Sequence, residues 1–228
     1  MSYIALPTKT VYTEVDAKQG KVEVHGCYPG YGATLGNALR RVLLSSLGGA
    51  AVVSYRIAGV THEFSTVAGV LEDNVRIGLA LKQLRVRLDG AETATLMLKA
   101  KGEKVVTAAD IDVPAGVTIV SPDQVIATLT DKKAELDMTI NVASGIGFVP
   151  VEAQERGEQS LGDIALDAIY TPIKRVNYEV ENMRVGKRTD FDKVTLDITT
   201  DGSISPKEAF DQAVRILIDQ FSAITVTE

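Results

Sequence analysis

From Leu84 to Phe148 the chain reads as one strand after another, and that tract limits the fold more than any other feature. Leu84-Arg85-Val86-Arg87-Leu88 alternates apolar and polar residues, and so do Ala94–Ala100 and Ala134–Val142. A period of two gives each strand a single apolar face to bury, which is the pattern of antiparallel sheet. Val113-Pro114-Ala115-Gly116 and Ser121-Pro122-Asp123 mark breaks between strands. Val11–Val15 and Val22–His25 predict a hairpin around Lys18-Gln19-Gly20-Lys21. Strands are also predicted at Ala51–Ile57, Ile173–Val180 and Lys193–Thr199, with an exposed loop over Glu152–Ser160. Helical periodicity covers about Thr34–Leu47, closed by Gly48-Gly49, and Leu71–Gln83, with Glu72 and Asp73 placed in its first turn. A last helix starts at Pro206. The class is α+β: many antiparallel strands and a few helices.

Two of the helices have faces that a plain surface helix lacks. At about 100° per residue, Leu35, Ala38, Leu39, Val42 and Leu43 share one side of the first helix. Asn37, Arg40, Arg41 and Leu44 lie on the opposite side. A leucine between two arginines resembles a protein-docking patch, an apolar centre with a basic rim. The other reading is that Leu44 packs beneath a neighbouring loop of its own chain. In the last helix, Ser205, Pro206 and Glu208 form a capping-box start. Phe210, Val214, Leu217, Phe221 and Ile224 then step by four and three, a heptad-like seam. Ala209, Ala213, Ile216 and Ile218 widen the arc to about half the circumference. Burial between the chain's own sheet and a second subunit accounts for that width, and so does a central place in one large core.

Composition narrows the function. The 228 residues suit one large domain or two small ones, and 45% of them are hydrophobic, as in a folded globular protein. Lys and Arg total 24 against 30 Asp and Glu, so the net charge of −6 argues against a nucleic-acid glove over the whole surface. Cys27 is the single cysteine, which rules out an internal disulfide framework and fits a reducing cytosol. No apolar run approaches the ~18 residues of a membrane span, and the first residues do not read as a secretory signal.

Catalytic motifs fit poorly. In Gly30-Tyr31-Gly32-Ala33-Thr34-Leu35-Gly36 the third glycine falls one residue late for a dinucleotide loop. A tight loop entering a helix that packs closely on a sheet explains those glycines better, with Thr34 as the N-cap. Asp190 and Asp192 could share a strand face as a magnesium pair, but Lys187, Arg188 and Lys193 crowd them and favour a turn or an ion-paired surface. His62-Glu63 lacks the second histidine of a zincin, and His62 reads as a packed or hydrogen-bonded strand residue. With only His25 and His62, a zinc site is short of ligands. Ser45 and Ser46 lie outside any nucleophile elbow, and nothing marks Cys27 as activated. A small-molecule enzyme built on the Gly30–Gly36 loop or the Asp190/Asp192 pair is the alternative from a different functional class.

Gly30–Ser46, running Gly-Tyr-Gly-Ala-Thr-Leu-Gly-Asn-Ala-Leu-Arg-Arg-Val-Leu-Leu-Ser-Ser, resembles the signature helix of the bacterial RNA polymerase α subunit. The resemblance continues at Gly59-Val60-Thr61-His62-Glu63-Phe64-Ser65-Thr66 and at Gly69-Val70-Leu71-Glu72-Asp73. It returns at Asn177-Tyr178-Glu179-Val180-Glu181, at Arg188-Thr189-Asp190-Phe191-Asp192-Lys193 and in the capped last helix. These motifs stand in order across nearly the whole chain and correspond to the family's N-terminal, assembly-forming part. The loop after Pro29 departs from the family by lacking charged residues, Ala33 stands where a larger residue is common, and Gly48-Gly49 where proline is frequent.

The resemblance implies a dimerisation subdomain over 1–48 and 173–228, with a β-rich subdomain inserted over 49–172. It implies a homodimer in which the signature and last helices meet their copies, through Leu35, Leu39, Phe210, Val214, Leu217, Phe221 and Ile224. It implies a non-catalytic scaffold that docks the β subunit through Arg41 and Leu44, with Arg40 and Asn37 beside them, and nucleates assembly with β′. Glu179, Arg188, Thr189 and Asp190 fall in the β′-side segment. ω and sigma complete the holoenzyme. Neither a cofactor nor a metal is implied, and neither is direct nucleic-acid or membrane contact. The expected place is the cytoplasm, at the nucleoid, with a plastid also compatible. The family's C-terminal domain, which contacts promoter DNA and activators, is not represented in these residues, so its roles are not assigned to them.

Overall fold

The structure is a computed structural model that describes residues 4–154 and 162–224. It is an α+β fold, rich in sheet, with three α-helices among the described residues. β1 (Lys9–Asp16) and β2 (Gln19–Cys27) form the first hairpin, followed by α1 (Tyr31–Ser45). The turn comes earlier than the expected Lys18–Lys21. Asp16 Oδ1 accepts from the N–H groups of Lys18 and Gln19 at 2.7 and 2.8 Å, which closes the turn at Asp16 and leaves Gly20 inside β2.

The chain continues through β3 (Gly48–Ile57), α2 (Asn74–Gln83), β4 (Val86–Leu88), β5 (Thr93–Lys101), β6 (Lys104–Thr107), β7 (Ile111–Asp112) and β8 (Val117–Ile119). Then come β9 (Val125–Leu129), β10 (Glu135–Ile146), β11 (Phe148–Val149), β12 (Ile164–Ala165) and β13 (Ala168–Ile169). The long hairpin β14 (Ile173–Val185) and β15 (Arg188–Thr200) leads into α3 (Pro206–Ala223). Both strands outrun their expected ends, because residues 181–192 continue the hairpin to a tip that turns at Gly186, φ +64°. A start at Asn74 for α2 also corrects the sequence expectation. Asp73 is the N-cap, accepting from Arg76 N–H at 2.8 Å, and Glu72 lies outside the helix. The Glu72 carboxylate instead accepts from the backbone N–H and the hydroxyl of Thr128 on β9, at 2.6 and 2.9 Å.

The chain divides into two units. The first, Met1–Leu47 with Thr171–Glu228, carries an antiparallel sheet in the order β1-β2-β15-β14, with α1 and α3 packed on it. Val22, Leu39, Leu43, Val194, Leu196 and Ala213 lie in its core. Helix α1 sits flush on the hairpin. A Cβ at Gly36 would stand 2.5 Å from Cδ2 of Tyr178, and one at Gly32 would stand 2.7 Å from Cγ1 of Val180. Helix-on-sheet packing therefore explains these glycines. Gly36→Ala gains up to ~1 kcal/mol of helix propensity but meets an overpacking cost of about 1–3 kcal/mol, so urea unfolding should show a net loss of stability.

The second unit, Gly48–Tyr170, has a sheet in the order β7-β5-β10-β3-β4-β8, with β12 also paired to β3. The pairs β6–β9 and β11–β13 stand apart from that sheet. Ile77 and Leu81 of α2 enter a core with Tyr55, Leu96, Leu98, Met138 and Ile140. The Tyr55 hydroxyl lies 2.9 Å from both the carbonyl and the side-chain oxygen of buried Asn74, and burial pushes its pKa up to about 12. His62 is hydrogen-bonded, as one of its two expected readings has it, but it is neither packed nor on a strand. Gly59, φ +80°, turns the chain out after β3, and His62 sits in an exposed bend with its ring 3.2 Å from the Ser65 hydroxyl. Of the loop expected over Glu152–Ser160, Val151–Ala153 forms a 3₁₀ turn and 155–161 lie outside the described residues.

Two carboxylates of this unit tie it to pH. The Lys104 ammonium, 2.8 Å away, and Thr107 N–H hold the Asp110 carboxyl below its usual range. Lys82, also at 2.8 Å, and Val151 N–H do the same for Asp167. A carboxyl whose pKa is lower in the folded chain adds stability above its unfolded value of about 3.9, and that stability is lost as pH falls through the folded value. Asp110→Asn should therefore lower the thermal midpoint at about pH 6, and the difference from wild type should shrink below about pH 3.

Candidate functional site

Helix α1 is positioned by a residue far away in sequence. Its N-cap is Gly30, φ +85°, which offers no side chain, and its first turn holds no acid. The expected cap, Thr34, lies inside the helix. Asp192 of β15 takes the capping role: its Oδ2 accepts from Gly30 N–H and from Gly32 N–H, both at 2.9 Å. These amides would otherwise lack helical partners, and a carboxylate at a helix N-terminus also meets a favourable dipole. Asp192 shares its strand face with Val194, Leu196 and Ile198, all buried. An acid in phase with three buried residues was a readable sign that its carboxylate meets a specific partner.

The far side of α1 is exposed. Asn37, Arg40, Arg41 and Leu44 all face solvent there, while Leu39 and Leu43 are buried beneath. Leu44 is 40% exposed, which sets aside its packing beneath a loop. Neither Arg40 nor Arg41 forms an ion pair among the described residues. Alongside runs an open groove of about 580 Å³, bordered by Asn37, Arg41 and Ser45 and by Leu217 of α3.

Helix α3 opens as its sequence implies. Ser205 Oγ accepts from Glu208 N–H at 3.2 Å, and Glu208 Oε2 accepts from Ser205 N–H at 3.0 Å. Ala209 and Ala213 are fully buried, and Phe210, Val214, Ile216 and Leu217 are half-buried against the same core, as is Leu35 of α1. Towards the C-terminal end the arc comes into the open: Ile218 is 57%, Phe221 62% and Ile224 72% exposed. A helix central to one large core would hide these side chains. Ile224 lies at the C-cap, one residue past the helix.

At the hairpin tip, Arg188 and Asp190 form a two-point pair, Nε to Oδ1 at 2.9 Å and Nη2 to Oδ2 at 2.6 Å. The pair keeps the Asp190 carboxyl below its usual range. The Arg188 guanidinium lies 5.1 Å from the Phe191 ring centre and 5.9 Å from that of Tyr28. Arg188, Thr189 and Asp190 thus stand together and exposed. Glu179 is exposed too, but it lies opposite Thr195, back along the hairpin. On the same sheet face as Glu179, Lys193 bridges Glu23 at 3.0 Å and Glu181 at 3.4 Å, and the Lys193 bond lowers the Glu23 pKa.

The enzymatic alternative loses its residues to these roles. Asp190 is held by Arg188 and Asp192 by the α1 amides, so the two do not act as a carboxylate pair. Cys27 is fully buried, and burial together with the nearby Asp192 charge pushes its thiol pKa up, away from a reactive thiolate. No His, Cys, Asp and Glu cluster suited to a metal occurs among the described residues. No described helix is long and apolar enough to cross a membrane.

Comparison with known proteins agrees with the motif order. Residues 55–171 match the family model for the RNA polymerase Rpb3/RpoA insert domain. The chain is 48% identical over 206 residues to the DNA-directed RNA polymerase subunit alpha of Carboxydothermus hydrogenoformans, a match covering 90% of this chain and 66% of that protein. Against the subunit of the same name from Alkaliphilus oremlandii it is 47% identical over 223 residues, covering 96% and 70%. The chain thus spans about two thirds of the length of these relatives. A match of this depth, reaching well beyond the insert into both helices and the hairpin, leads to one conclusion: the chain belongs to the family of bacterial DNA-directed RNA polymerase α subunits.

Proposed function

We propose that this chain is a non-catalytic scaffold of RNA polymerase, which forms a homodimer and nucleates assembly of the β and β′ subunits. The outer face of α1 is the observation that carries this reading. Two arginines that form no ion pair among the described residues flank a solvent-facing leucine on a helix packed closely on its sheet. An apolar centre with a cationic rim suits a protein surface, where a central leucine and a bidentate arginine are the kind of residues that dominate binding.

In this reading 1–48 with 173–228 is the dimerisation subdomain and 49–172 a β-rich subdomain inserted into it, a division that the two compact units support. Phe210, Val214, Leu217, Phe221 and Ile224 of the α3 region meet the second copy, with Leu35 at the margin. Leu39 supports that surface from within, since it is only 7% exposed and belongs to the unit's own core. Arg40, Arg41, Leu44 and Asn37 dock β. Arg188, Thr189 and Asp190, with Glu179 behind them, lie on the β′ side. The scaffold works in the cytoplasm at the nucleoid and grips protein rather than nucleic acid, in keeping with its net charge of −6.

Co-purification tests this directly. Tagged chain mixed with β should retain β through a size-exclusion column and then take up β′. Recovery of the chain and β in separate peaks at micromolar concentration would overturn the proposal.

A further inference from the structure

Asp192 connects the hairpin to the docking helix in a way that bears on docking itself. Its carboxylate is nearly enclosed, and one oxygen bonds two amides of the α1 start, some 160 positions away in the chain. The helix has no cap of its own to replace it. Gly32 lacks room for a side chain against Val180 and Asp192, and Gly36 lacks room against Tyr178, so the first turns of α1 lie close against the sheet. Gly32 and Arg41 are nine residues apart, which at about 100° per residue sets them about 180° apart around the helix. The clamped face and the docking face are therefore opposite sides of one rigid rod.

A second contact acts at the same place. Tyr28 packs edge-on against Phe191 at 6.2 Å and against Tyr31 at 6.1 Å, and Arg188 lies over the Tyr28 ring. The loop before α1 is thus held by Phe191 and Arg188, and the first turn by Asp192. All three belong to one short run of β15.

We propose that Asp192 is the positioning residue of the docking face: by pinning the amides of Gly30 and Gly32 it sets the rotation and height of α1, and so where Arg41 and Leu44 meet β. The proposal rests on the reading that α1 docks β. Without the carboxylate the first turn frays, the helix can roll on its two glycines, and the arginine and leucine no longer present one geometry. Hydrogen bonds to buried ionised groups are among the stronger ones, and removing one partner leaves the other unpaired.

The test uses the full chain with Asp192→Ala, Asp192→Asn and Arg41→Ala. It measures β affinity by titration well below each variant's melting temperature, together with amide hydrogen exchange at Gly30 and Gly32. Asp192→Ala should weaken β binding tenfold or more and speed exchange at both amides, while Arg41→Ala weakens binding with exchange unchanged. Asp192→Asn keeps an acceptor oxygen without the charge, so it should fall between wild type and alanine in both readouts. Should Asp192→Ala not fold, Asp192→Asn decides alone: faster exchange with at least threefold weaker binding supports the proposal, and wild-type affinity overturns it. A residue of purely structural value would lower the melting temperature and leave β affinity intact, which also overturns it. Loss of binding in Arg41→Ala with full binding in both Asp192 variants defeats the positioning role alone. Full binding in Arg41→Ala defeats the docking reading, and the positioning role with it.

Discussion

Arg41→Ala and Leu44→Ala should each weaken capture of β by about 30-fold or more, the effect of losing a binding hot spot worth about 2 kcal/mol. The loss should appear in binding and hardly at all in folding. Arg41 has no ion pair in the free chain among the described residues, and Leu44 is 40% exposed, so truncation removes little that holds the subunit together. Surface changes of this kind stay within about 0.5 kcal/mol in unfolding experiments. Arg41→Lys separates charge from geometry. A lysine keeps the positive charge but not the planar fork that pairs two-point with a carboxylate, so substantial loss in Arg41→Lys would indicate a bidentate contact in the complex. Unchanged β affinity in Arg41→Ala would remove α1 as the docking element, and unchanged affinity in Leu44→Ala alone would remove the leucine from the contact.

The second large effect is expected from Phe221→Glu. The phenylalanine is 62% exposed in the single chain, between Ile218 and Ile224, which are also exposed. A glutamate there costs the monomer little, because it points into water. Across the proposed dimer seam the same carboxylate would lie unpaired against apolar side chains, an arrangement that is strongly unfavourable. Light scattering at micromolar concentration should therefore give twice the chain mass for wild type and once the chain mass for Phe221→Glu, with the far-ultraviolet circular dichroism preserved. Ala213→Glu is the contrast. Ala213 is fully buried in the chain's own core, so that variant should fail to fold. A dimeric Phe221→Glu would place the seam elsewhere.

Legibility in the sequence followed the range of the physics involved. The capped start of α3 could be read because Ser205, Pro206 and Glu208 act on one another within four residues. The outward set on α1 could be read because helix geometry alone separates Arg41 and Leu44 from Leu39 and Leu43. Where a distant partner decides, the reading failed. Thr34 looked like the cap of α1, but Asp192 reaches it from β15. Glu72 looked like a helix-dipole residue, but it bonds Thr128. The hairpin tip was cut short because residues 181–190 are largely polar on both faces, and pairing between β14 and β15 rather than burial keeps them extended. The width of the apolar arc on α3 was plain from its periodicity. That its far end lies open emerged only once the sheet had taken Ala209 and Ala213.

The most direct measurement is the native mass of the complex reconstituted from this chain, β and β′. A scaffold that dimerises and nucleates assembly predicts two copies of the chain for each β and each β′, passing through a species with two copies and β alone. A complex holding a single copy of the chain with one β and one β′, or a β–β′ pair that assembles equally well without the chain, would contradict it.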